Sequence, residues 1–82
     1  MKVFNLSKKD YLLYLAGEQQ KVKIQYNRRK DNFFIEFPFV SISGNKITIN
    51  QFLDGKGTAE IWNNGNLTAV LDFVSIEGLD LA

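Results

Sequence analysis

Turn-forming residues recur at short intervals along this chain, and that spacing constrains its fold more than any other feature. Asn27 to Asn32 is an unbroken polar run, Gly44-Asn45 and Asn64-Gly65 are two-residue hairpin signals, and Asp54-Gly55-Lys56-Gly57 is a further turn. Strands joined by so few residues must run antiparallel, because a parallel crossover needs a dozen residues or more. The intervening segments have strand chemistry. Val22, Ile24 and Tyr26 alternate with Lys21, Lys23 and Gln25. Phe33 to Ser43 reads as one long second strand, which Pro38 restricts to an edge or a bulge. Lys46 to Leu53, Thr58 to Asn63 and Leu67 to Glu77 follow as the third, fourth and fifth.

Ahead of the strands the pattern suggests a helix. Ser7 stands as an N-cap, Asp10 as the acidic member of a capping box, and Leu6 with Tyr11 at the staple positions. Gly17 sits where a left-handed C-terminal cap is wanted, so the spacing predicts a helix over residues 8 to 16. Beyond Glu18-Gln19-Gln20 the period becomes alternating. The fold class expected is therefore α+β, a short N-terminal helix followed by a strongly bent five-stranded antiparallel meander or small barrel. The bend is required because two strands are apolar on both faces: Phe33, Ile35, Phe37 and Phe39 oppose Phe34, Val40 and Ile42, while Leu67, Ala69, Leu71 and Phe73 oppose Val70, Val74 and Ile76.

Size sets the next expectation. A single domain of 82 residues buries only ~60 to 65% of the surface its unfolded chain exposes, so the core is thin. Seven Phe, three Tyr and one Trp supply much of it. Apolar area left uncovered points to self-association as a homodimer or higher homo-oligomer.

Much chemistry is missing. With no Cys and no His, thiol catalysis, disulfides, Cys/His zinc sites and histidine bases are excluded together. Gly55-Lys56-Gly57-Thr58 lacks the first Gly of a phosphate-binding loop, since position 50 is Asn. Asp54 with Glu60, and Asp72 with Glu77, are scattered acids on turns and wet strand faces. The expectation is a protein that is not an enzyme, with no cofactor and no metal. Ser7-Lys8-Lys9-Asp10 interrupts any signal-peptide core, and the longest apolar run, Tyr11 to Ala16, is far too short to span a bilayer. A cytoplasmic protein is expected, without membrane attachment, and the sequons at Asn5 and Asn66 are chance matches.

Charge is informative by placement. The net charge is +1, yet residues 1–30 carry eight Lys and Arg against two acids, and residues 31–82 carry two against seven. If the basic third stays together, its field holds an anionic partner. RNA or DNA suits it, with Lys8, Lys9, Lys21, Lys23, Arg28, Arg29 and Lys30 for phosphates and Tyr26 and Phe34 for stacking. An acidic protein surface is the other partner of matching charge. Lys8 and Lys9 in the first turn of the expected helix oppose its dipole. The alternative class is a protein–protein interaction module, such as a viral or mobile-element inhibitor of a host enzyme or defence protein working in the host cytoplasm. Its anchors would be Phe52 and Trp62 on an apolar sheet face.

One helix followed by five strands is also the element order of the Sm-like RNA-binding barrels, and Val74-Ser75-Ile76-Glu77-Gly78 resembles the strand-to-turn of their second motif. The resemblance implies a small RNA-binding barrel. Glu77 stands where that family usually has a basic residue, and Phe33 to Ser43 lacks the Gly of its second strand.

Overall fold

Alternation governs the whole chain, including the part with helix-start chemistry. The computed structural model describes residues 1–17 and 20–79 and contains, among them, eight strands and no helix. These are β1 (Lys2–Asn5), β2 (Tyr11–Leu15), β3 (Lys21–Asn27), β4 (Asn32–Glu36), β5 (Ser41–Gly44), β6 (Lys46–Gln51), β7 (Gly57–Asn63) and β8 (Asn66–Glu77). The protein is all-β, and the expected α+β class with its helix over residues 8 to 16 is wrong. Tyr11 and Leu13 point into the core while Leu12 and Tyr14 are half-buried on the other face, a period of two. Ser7 caps nothing; its Oγ lies 2.7 Å from the Tyr11 hydroxyl. Gly17 has φ 85°, the left-handed conformation a helix cap needs, but here it serves the β2–β3 turn. Glu18 and Gln19, where the period was expected to change, lie outside the described residues.

The strands form one antiparallel sheet in the order β1-β6-β7-β8-β2-β3-β4-β5. Two further departures from expectation explain how it closes. Pro38 does not sit in a continuous strand: the chain turns at residues 37–40, where the Phe37 amide donates to the Val40 carbonyl at 2.8 Å, and this splits Phe33–Ser43 into β4 and β5. Gly44-Asn45 is no hairpin turn. β5 runs through Asn45 into β6, so one chain segment pairs with β4 along its first half and with β7 and β1 along its second. Gly44 is buried, and a Cβ there would run into the Trp62 carbonyl and come within 2.8 Å of Ile61 Cγ2. The Asn45 amide donates to the same carbonyl at 2.9 Å. β8, twelve residues long, bridges the other side, pairing with β7 and then with β2.

The sheet is thereby wrapped round one core. Tyr11, Leu13, Val22, Ile24, Phe33, Ile35, Ile47, Ile49, Ala59, Ile61 and Phe73 fill it from six strands. Leu67, Val70 and Val74 of β8 remain exposed. Asn64 and Gly65 both have positive φ, 52° and 85°, as a two-residue hairpin turn of the mirror-image type I requires. No helix of the described residues is long and apolar enough to cross a membrane. The helix-plus-five-strands order behind the Sm-like resemblance is not the order of this chain.

Candidate nucleic-acid interface

The basic residues of the first third are brought together by two connections that touch. Asp31 follows the β3–β4 turn in a left-handed conformation, φ 51°, and receives Lys8 Nζ from the β1–β2 loop at 2.7 Å. The Tyr26 hydroxyl donates to the same carboxylate oxygen. In return Asp10 of the β1–β2 loop accepts the Tyr26 amide at 2.9 Å and faces Lys23 Nζ at 3.6 Å. The hydrogen bond from Lys8, then that from Tyr26, holds the Asp31 carboxyl below its ordinary range. The same contact with Asp31 raises both Lys8 and the Tyr26 phenol. All three groups are solvated, so this network orients the two connections more than it stabilises the fold.

It also sorts the nine candidate residues. Lys8 and Lys23 are committed to carboxylates. Tyr26 is half-buried, its hydroxyl is bound and its ring packs on Phe33 with centroids 5.3 Å apart. Lys9 lies over the Tyr11 ring at 5.3 Å. The rest are different. Arg28, Arg29 and Lys30 are exposed at the tip of the β3–β4 hairpin, where Asn27 Oδ1 accepts the amides of Arg29 at 3.0 Å and Lys30 at 3.2 Å and so fixes the turn. Among the described residues no carboxylate comes within ion-pair distance of Lys21, Arg28, Arg29 or Lys30.

Period-two geometry then puts Lys21, Lys23, Gln25 and Asn27 on the outer face of β3. Register carries that face across the sheet: Gln25 stands opposite Phe34 and Phe34 opposite Ser43. Here lies a shallow hollow of about 270 Å³ lined by Asn27, Lys30, Asn32, Phe34, Ser41 and Ser43. Phe34 is half-buried beside it. Asn32 Oδ1 is turned inward with no hydrogen-bond partner within the protein, so no internal bond to that oxygen holds the amide. Glu36 is the acidic residue of this face, across from Ser41 at its far end.

Sequence reasoning missed Asn27, Asn32, Ser41 and Ser43. The signal was the hairpin register: once Asn27 pairs with Asn32, Phe34 and its outward neighbours follow. Reading Phe33 to Ser43 as one strand hid the two serines, because they reach the hollow only when the chain turns at Pro38 and doubles back.

The residues expected to anchor a protein partner do not meet. Phe52 is exposed in the β6–β7 turn beside Leu53, whereas Trp62 is half-buried at the opposite end of that hairpin, with Lys46 Nζ 5.3 Å from its ring centroid. The paired strands separate the two by roughly 20 Å. The acids resolve into local roles: Asp54 accepts the Lys56 amide at 3.0 Å, and Glu60 accepts Asn50 Nδ2 at 3.0 Å. No family model, curated protein or solved structure matches the chain.

Proposed function

We propose that the protein is a non-catalytic binding module that takes a single-stranded segment of RNA or DNA across the outer face of β3, β4 and β5. The observation that carries the reading is the juxtaposition of Arg28, Arg29 and Lys30, none of them paired with a described carboxylate, with a hollow flanked by the Phe34 ring. Cations hold phosphates without regard to sequence, and an aromatic face beside them stacks a base. Lys21 continues the track along β3, whose length of roughly 20 Å spans a few nucleotides. Ser41 and Ser43 supply hydrogen-bonding groups of the kind that sugars and base edges satisfy. Self-association belongs to the same reading, through the exposed Leu67, Val70 and Val74 of β8, which lie away from this face.

Titration of the isotopically labelled chain with a short single-stranded oligonucleotide at low salt tests the reading. Amide shifts are expected at Asn27 to Asn32, Phe34 and Ser41 to Ser43, and Phe34→Leu is expected to weaken binding by ~1 to 3 kcal/mol, the range for one stacked base. Absence of any saturable shift, or shifts centred on Phe52 or Trp62, would refute it.

A further inference from the structure

A second hollow lies elsewhere and shares no residue with the face just described. It measures about 490 Å³ and is lined by Lys2, Phe4, Asn5, Leu6, Ser7, Tyr11, Gln51 and Leu79. We propose that it is a binding site for a small amphipathic monocarboxylate, with Lys2 receiving the carboxylate and the aromatic and aliphatic walls receiving the apolar body.

The site follows from the position of β1. Among the described residues this strand pairs only with β6, with Lys2 opposite Gln51 and Phe4 opposite Ile49. Ile49 is a core residue, so the face of β1 that carries Phe4 and Lys2 prolongs the core towards the sheet edge. Among the described residues no strand covers that prolongation. Its far wall is built by Leu6, Tyr11 and Leu79, all packed on the core cluster. The volume falls within the range of small-molecule sites, ~300 to 1,000 Å³.

The polar groups around it select the ligand class. The Ser7 Oγ and the Tyr11 hydroxyl are bound to one another at 2.7 Å. Gln51 Nε2 donates to the Gly55 carbonyl at 3.2 Å, and Asn5 Oδ1 accepts from Thr48 at 2.9 Å. The Asn5 Nδ2 and Gln51 Oε1 atoms are the amide groups outside these bonds, too few to match the many hydroxyls of a sugar or a polyol. Among the described residues Lys2 is the single charged one lining the hollow; its ammonium sits 5.5 Å from the Phe4 ring centroid, and no described carboxylate is within ion-pair distance of it. One cation beside the aromatic and aliphatic side chains Phe4, Leu6, Tyr11 and Leu79 matches one anionic group on an apolar chain. A dianion such as a phosphate monoester would leave half its charge unmatched.

Octanoate is the probe, with octanol as its uncharged counterpart, titrated into the full labelled chain and into Lys2→Gln. Lys2 is exposed, so the substitution leaves folding intact. Saturable octanoate shifts are expected at Phe4, Leu6, Tyr11 and Leu79, with octanol several-fold weaker on the unmodified chain and the difference abolished in Lys2→Gln. The proposal is overturned if octanoate produces no saturable shift at millimolar concentration, if octanol binds as well as octanoate, or if Lys2→Gln leaves the difference intact. A variant truncated after Leu79 closes the remaining route: binding seen there and not in the full chain would mean that the chain's own last residues fill the hollow, and would also overturn it.

Discussion

Replacing Gly44 with alanine tests whether the sheet closes on itself. Gly44 does not occupy a left-handed conformation, so alanine fits its backbone without strain. In an open strand the change would stabilise the protein by about 0.5 to 1 kcal/mol, because alanine has less backbone freedom to lose on folding. In this structure the new Cβ would run into the Trp62 carbonyl and lie 2.8 Å from Ile61 Cγ2. The first obstacle is backbone and cannot swing aside, so overpacking should cost about 1 to 3 kcal/mol. Displacing β5 from β7 also strains the 2.9 Å bond between the Asn45 amide and the Trp62 carbonyl, worth ~1 kcal/mol. The net expectation is a loss of about 2 kcal/mol, which lowers Tm by roughly 10 °C in a domain of this size. Urea unfolding of Gly44→Ala beside Ser43→Ala, an exposed neighbour expected to change stability by no more than ~0.5 kcal/mol, measures it. A neutral or stabilising Gly44→Ala would show that β5 does not approach β7, and the account of closure would fall.

Three further outcomes are expected. Ile61→Ala, in the fully enclosed core, should cost about 2 to 5 kcal/mol in the same unfolding assay. Gly65→Ala places a side chain at φ 85° and should cost about 1 kcal/mol, with the loss confined to the β7–β8 hairpin in hydrogen exchange. The Asp31 carboxyl is depressed chiefly by Lys8, so its contribution to stability is present above the unfolded-state pKa and is lost as pH falls through the folded one; in Lys8→Gln an NMR titration should find the Asp31 midpoint moved back up towards the ordinary carboxylate range.

The strand plan was legible where a position has one structural use. Asn64-Gly65 admits little besides a tight hairpin, and the alternation from Lys21 to Tyr26 leaves one face for the core. Legibility failed where a residue serves two structures equally well. Gly17 supplies positive φ to a helix cap and to a β turn alike, and Ser7 with Asp10 can cap a helix or bond to Tyr11 and Tyr26 across a loop. Lys8 and Lys9 were the contrary sign, since two cations oppose a helix dipole but suit a loop between strands. Gly44 was misread because its need is spatial: it is Gly for want of room beside Trp62, which no local pattern reveals. Of the candidate surface, the cluster at the hairpin tip followed from charge order alone, whereas the hollow beside it depends on the turn at Pro38.

The account's central claim is that Arg28, Arg29 and Lys30 meet the phosphates of a single strand. Fluorescence anisotropy of a labelled single-stranded oligonucleotide, measured across a salt series with the unmodified protein and with Arg28→Ala/Arg29→Ala/Lys30→Ala, tests it most directly. Each phosphate neutralised on a single strand contributes about −0.7 to the slope of log affinity against log salt. The triple variant should therefore bind more weakly at low salt and show a slope shallower by about 2, with unfolding stability unchanged. Binding of equal strength and equal slope in the two proteins, or no binding by the unmodified protein at low salt, would contradict the claim.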